Sequence, residues 1–280
     1  MTAALATGCA TTTAANDPKR WVVGCFNRPW SRLTYDEALS GTREAGYKVT
    51  GLLTPHPKDA FLSPNSSVEY VDGLATRMQK EHLKCNMTSL RFSGAAPYAQ
   101  SLESLQKQLD YAGRLNLQYA MTFGVDKPDH FETFYLLMSE LAPYAEARKV
   151  QLVMKPHGGN TGASEEILRC MGKVNHPNFR VWYDAGNIIH YTGKDPIEEL
   201  KPVVKYVSGF CAKDCAKKAS DVMIQFGTGA VDFKGVFRTL KAGGFNGPIM
   251  VEGCAGKAYA EITANARENR LFLERTLAEV

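Results

Sequence analysis

The chain has 280 residues, 44% of them apolar, and a formal charge of +4 spread over interleaved acids and bases. Its length suits one barrel-sized core or two small domains, and the lack of repeats, low-complexity tracts and long Gly/Ser/Pro linkers favours one. Scattered lysines and arginines exclude the basic stripe of a nucleic-acid binder, and no apolar run approaches the roughly 18 residues of a membrane span.

In chain order, "MTAALATGCATTTAAND" comes first, rich in Ala and Thr with small residues around Cys9. It resembles the cleavage end of an export signal without the basic region and most of the apolar core. Residues 1–17 therefore read either as a disordered tail or as a truncated export-signal remnant, with a cytoplasmic or a periplasmic location respectively. Residues 18–280 read as one domain. The seven cysteines lack the spacing of a disulfide scaffold or of paired zinc knuckles, so most are expected to be reduced, buried hydrophobes.

The first predicted strand, WVVGCF (21–26), leads to Asn27 and Arg28, with Trp30 close behind. KVTGLL (48–53) leads to His56 between two prolines, and NMTSLRF (86–92) and LQYAMTFG (117–124) follow. Between these last two, SLESLQKQLDYAGRL places apolar residues three and four apart, one face of a helix. FETFYLLMSELAPYAEARK (131–149) is a second such pattern, and VQLVMK (150–155) then runs straight into Lys155 and, past Pro156, His157. RVWYDAG (180–186) carries Asp184, with Asn187 just beyond. After the helical pattern PIEELKPVVKYV (196–207), VSGFCAK (207–213) carries Cys211 and Lys213. FKGVFRTLKAGGF (233–245) is the next helix, and PIMVEG (248–253) ends near Glu252. Glycines in "REAGYKV" and "KAGGFNGPIMV" punctuate the passage from helix to strand.

Eight strand–helix alternations predict a single (β/α)8 TIM barrel in preference to an open doubly wound sheet, and no G-x-G-x-x-G follows the first strand. In such barrels chemistry sits at the C-terminal strand ends, which selects Arg28, His56, Lys155, His157, Asp184, Asn187, Cys211, Lys213 and Glu252. Strand alternation pairs Lys155 with His157 and Cys211 with Lys213 on common faces. Asp184 and Glu252 stand out because each interrupts a run bound for the interior, where an unpaired carboxylate is costly. Plainer readings stay open for the others: a turn cap for His157, a loop position for His56, packing for Cys211, a surface pair with Asp214 for Lys213.

VWYDAGN on the sixth strand, CAKD on the seventh, FGTGAVDF (226–233) and IMVEG on the eighth together resemble the xylose isomerase-like TIM barrels. This is the sugar phosphate isomerase/epimerase group that includes inosose dehydratases and tagatose-type epimerases, and the resemblance spans residues 20–280. It implies one divalent metal held by a Glu on the fifth strand, an Asp on the sixth, a His in an H-x-K-D pattern on the seventh and a Glu on the eighth, the two glutamates also moving protons. Asp184 and Glu252 match that set; Lys155 and Cys211 stand in its other two places. Three carboxylates and an imidazole carry about −3, whereas Lys155, Asp184, Glu252 and a thiol carry about −1, and an ammonium repels a nearby dication.

Two arrangements follow from that substitution. A Mn, Zn or Mg class ion could use His157, Asp184 and Glu252, with Cys211 as thiolate. Alternatively, and favoured, no cofactor is needed: Lys155 pairs with both carboxylates and polarises a substrate oxygen in the metal's place. The expected function is that of a sugar isomerase or epimerase removing a proton next to a carbonyl on a keto sugar or inosose. Glu252 is then the base, Lys155 stabilises the oxyanion, and His157 and Lys213 place hydroxyls. Arg28, His56 and Asn187 also contact substrate, and Trp30 forms an apolar wall. A lyase or dehydratase of the same group, and a non-catalytic carbohydrate-binding barrel, are the alternatives; nicking of abasic DNA would need a richer metal cluster and a basic groove. The expected partner is a small carbohydrate, with a homodimer possible.

Overall fold

The computed structural model describes residues 21–280, so the expectations for residues 1–17 and Cys9 lie outside the described residues. Eight parallel strands close into a barrel in sequence order: β1 (Val23–Phe26), β2 (Val49–Leu52), β3 (Lys84–Ser89), β4 (Tyr119–Thr122), β5 (Gln151–Met154), β6 (Phe179–Tyr183), β7 (Val207–Ala212) and β8 (Ile249–Val251). Closure is made by β1 on β8, with Val23 opposite Ile249 and Cys25 opposite Val251. Every predicted strand overlaps an observed one.

The helical patterns are found at Tyr98–Arg114, Phe131–Glu146 and Phe233–Ala242. One prediction is corrected: 196–207 is not a single helix. Asp195 caps a helix over Pro196–Leu200 by accepting from the Ile197 and Glu198 amides, but the helix stops there and resumes only as a 3₁₀ turn at Val204–Tyr206. Pro202 is the reason, since it lacks an N–H and its ring clashes with the preceding turn. No helix of the described residues is long and apolar enough to cross a membrane.

Strand alternation fills the barrel axis with Phe26, Met87, Met121, Val153, Trp182, Cys211 and Met250, all fully buried. The wide Trp182 indole fits only because β7 offers Gly209 beside it, where a Cβ would collide with the ring. The other strand face packs on the helices through residues such as Leu39, Phe134, Phe210 and Phe237. All six described cysteines are free and buried.

The same alternation places the chemistry. Val153, Trp182, Cys211 and Met250 face inward from four consecutive strands, β5 to β8. Two residues further on, the next inward positions are Lys155, Asp184, Lys213 and Glu252. A charged layer thus lies directly above an apolar one, at the C-terminal mouth.

Candidate active site

All four charged side chains are buried, between 0% and 2% exposed. Lys155 Nζ lies 2.5 Å from Glu252 Oε2 and 3.4 Å from Asp184 Oδ2. Lys213 Nζ lies 2.8 Å from Glu252 Oε1 and 3.3 Å from Asp184 Oδ2, and donates to Asn187 Oδ1 at 2.8 Å. Arg28, from the turn after β1, donates from Nη1 to Glu252 Oε1 at 2.7 Å.

Backbone geometry fixes these groups. The Lys155 and Glu252 amides extend the sheet ladder onto Thr122 and Ala212 carbonyls, both at 2.9 Å. Asp184 directly follows β6 and caps the next turn, its Oδ1 accepting from the Asn187 amide at 2.8 Å, while Asn187 Nδ2 donates to the Pro156 carbonyl at 2.6 Å. Gly186 lets that turn lean on the end of β7, for a Cβ there would meet the Lys213 carbonyl at 2.7 Å.

Three cations therefore surround two carboxylates, leaving one positive charge where the sequence count left one negative. Lys213 belongs to the buried cluster, and Arg28, its side chain 29% exposed, lies at its edge. Lys213 is not a surface partner of Asp214. Asp214 instead accepts four backbone amides, from Cys215 and Val231 on Oδ1 and from Gly227 and Gly229 on Oδ2, and so ties down the loop between β7 and the helix Phe233–Ala242.

The field acts on each titratable group in a definite direction. Burial alone would raise the Glu252 carboxyl, but Lys155, Lys213 and Arg28 outweigh it and hold it well below the usual carboxylate range. Burial opposes the charge of Lys155, yet Glu252 and Asp184 prevail and keep its pKa above the ordinary lysine value. For Lys213 burial wins, reinforced by Lys155 and Arg28 against the two carboxylates, so its pKa falls. Burial pushes the Cys211 thiol well up despite the opposing pull of Lys155.

One donor set, Asp184, Cys211 and Glu252, has its candidate ligand atoms within 4.8 Å of one another. It is poorly matched to a divalent ion. The Lys155 ammonium already stands between the two carboxylates, 2.5 Å from Glu252 Oε2 and 3.4 Å from Asp184 Oδ2. At 4 Å and an effective dielectric near 20, two unit charges repel by about 4 kcal/mol, and a dication by about twice that. His157, expected as a substitute ligand, lies outside this donor set. Asp184 Oδ2 is buried without a hydrogen-bond donor although two ammonium groups face it.

Around the cluster, His157 shares its hydrogen bond with Tyr191, whose hydroxyl is 2.8 Å from Nε2, and packs on the Tyr191 and Phe123 rings at centroid distances of 4.7 and 5.4 Å. Burial, then Lys155 and Lys213, lower its pKa to about 4. Lys155 Nζ stands 5.3 Å from the centroid of the Phe123 ring. Val222 and Met223, in the loop held by Asp214, lie against Gly253, where a Cβ would meet the Val222 carbonyl at 2.7 Å.

Two expected substrate contacts are corrected. His56 has both ring nitrogens engaged, Nδ1 with the Leu33 carbonyl and Nε2 with Asn27 Nδ2, each at 2.9 Å, so it clips two loops together and has none left for a ligand. Trp30 is fully buried in the helix layer, donating to Thr263 Oγ1 at 3.2 Å and filling the space opposite Gly41. Phe123, Tyr191 and the Val222–Met223 segment were not among the sequence candidates, because they are uncharged or far from a strand end; Phe123 alone, one residue past β4, could have been found by reading strand ends for aromatics as well as for ionisable groups.

Comparison with known proteins bears on this geometry. The family profile described as "Xylose isomerase-like TIM barrel" matches residues 40–276. An inosose dehydratase of Clostridium botulinum is 22% identical over 273 residues, covering 86% of this chain and 89% of that one. An L-ribulose-5-phosphate 3-epimerase of Escherichia coli is 26% identical over 161 residues, covering 55% of this chain and 56% of that protein. Among solved structures, a xylose isomerase-like TIM barrel protein from Mycobacterium smegmatis in complex with magnesium superposes with a TM-score of 0.75 at 16% identity, covering 92% of this chain and 98% of that one, a likeness of fold.

Proposed function

Because the chain belongs to the xylose isomerase-like TIM barrel family, we propose that it performs carbon-acid chemistry on a small polyhydroxylated carbonyl compound, as an isomerase, epimerase or dehydratase, with the Lys155 ammonium in the place of a divalent metal. The observation that carries this reading is the seat of Lys155 Nζ between Glu252 and Asp184. A cation fixed there, out of water, is aimed at the oxygen that becomes negative when a proton leaves the adjacent carbon.

Glu252 is the base in this scheme, and its low pKa makes it a weak one at rest. The two roles are linked. As an oxyanion forms on Lys155 it competes with Glu252 for the ammonium, and the carboxylate regains basicity as its counter-ion turns away. His157, neutral above about pH 4, and Asp184 Oδ2, an acceptor without a donor, orient substrate hydroxyls. The relatives' names agree in substrate class: an inosose dehydratase and a ribulose-phosphate epimerase both process polyhydroxylated carbonyl compounds.

Incubating chelator-treated protein with a panel of keto sugars and inososes in D₂O tests the scheme by NMR. Deuterium should enter next to the carbonyl of at least one compound, and Lys155→Met should abolish this. The hold of three cations on Glu252 favours a second reading, a barrel that binds carbohydrate without turning it over. Saturable binding with no exchange into any compound would establish that reading and remove the first.

A further inference from the structure

We propose that the ligand of this site carries a carboxylate, taken up by the free edge of the Arg28 guanidinium; this rests on the carbonyl-compound reading above and narrows it to sugar acids and their keto forms. Three observations lead there. The four buried side chains Lys155, Lys213, Asp184 and Glu252 balance, and Arg28 adds one positive charge beside them, which a neutral sugar would leave to solvent alone. Arg28 is the member of the cluster in contact with solvent, its side chain 29% exposed against 3% or less for the others. Among the described residues, its recorded partner is Glu252 through Nη1, which leaves the remaining N–H groups to a ligand.

The backbone that carries the arginine is anchored. The residue opens the 3₁₀ turn Arg28–Trp30, in which Pro29 fixes the backbone and Trp30 is anchored in the helix layer. A planar carboxylate matches the planar guanidinium edge with two parallel hydrogen bonds. Its single negative charge balances the single surplus positive one. A phosphate monoester, at about −1.5 to −2, would leave the pocket net negative beside two carboxylates already buried there.

The test measures dissociation constants by calorimetry for matched sets, each made of a hexose or ketohexose, its uronic acid and its 6-phosphate. At least one acid should bind at least about tenfold more tightly than its neutral partner and its phosphate, and the advantage should shrink as salt is raised from about 0.01 M to 1 M. Arg28→Gln should erase the advantage. Arg28→Lys, which keeps the charge and loses the fork, should retain part of it, and it decides the matter if the Gln variant does not fold. No acid outdoing its neutral partner, a phosphate binding as well as the acid, or an advantage indifferent to both substitutions would overturn the proposal. An acid preference without deuterium exchange would uphold it while removing the catalytic reading; exchange into neutral ketoses without acid preference would do the reverse.

Discussion

Lys155 and His157, two residues apart, respond to one cluster in opposite senses. The carboxylates keep the first charged, whereas burial and the neighbouring ammonium groups keep the second neutral down to about pH 4. An unfolded histidine titrates near pH 6.5. Between those values the unfolded chain binds more protons than the folded one, so this residue makes stability fall as pH drops from about 6.5 to 4. Glu252 acts in a lower window, its depressed pKa giving stability that is present above the unfolded value of about 4.3 and lost only as pH falls below it. Urea unfolding from pH 7 to 4 should therefore show a shallower decline for His157→Gln than for the wild type. Superimposable profiles would mean that His157 is not held neutral by its surroundings.

At the scale of elements, the strands were legible and the loops over them were not. Apolar and β-branched runs spaced by helical patterns specify a parallel barrel, and alternation along each run specifies which residues face its axis, so Lys155, Asp184 and Glu252 could be placed from sequence. Loop geometry has no such period. Asp214 looked like a surface partner for Lys213, yet it binds amides 13 to 17 residues further on, a spacing no motif announces. Nor did the helical pattern of 196–207 outweigh Pro202. Asp214→Ala leaves four amides without their acceptor, and at about 1–3 kcal/mol for each one that water cannot reach, a total loss of about 3–5 kcal/mol is expected. Hydrogen exchange should quicken at Cys215, Gly227, Gly229 and Val231, with Asp214→Asn intermediate. Unchanged exchange across 215–231 would show that the loop is held by something else.

For the whole molecule, the charge of the site is a consequence of closing the barrel. Glu252 and Arg28 are 224 positions apart in sequence and meet because β8 pairs with β1; no local reading of either stretch reveals that the carboxylate is shared by three cations. A charge count confined to Lys155, Asp184, Cys211 and Glu252 therefore misses two of the three cations. Inverting that charge offers the sharpest check on the lysine-for-metal reading. In the double variant Lys155→Glu, Cys211→His, two cations face three carboxylates and the pocket turns net negative. Without metal it should melt below the wild type, since an uncompensated buried carboxylate has been added. Mn²⁺ at about a hundred times its dissociation constant should then restore about 2.7 kcal/mol, or roughly 5–10 °C for a chain of this size, and elemental analysis after dialysis should find close to one equivalent. Wild-type protein under the same conditions should shift by less than about 1 °C, because the dication would have to displace an ammonium from between Asp184 and Glu252. A wild-type shift as large as the variant's would show that the ammonium yields its place, and the substitution of lysine for metal would have to be abandoned.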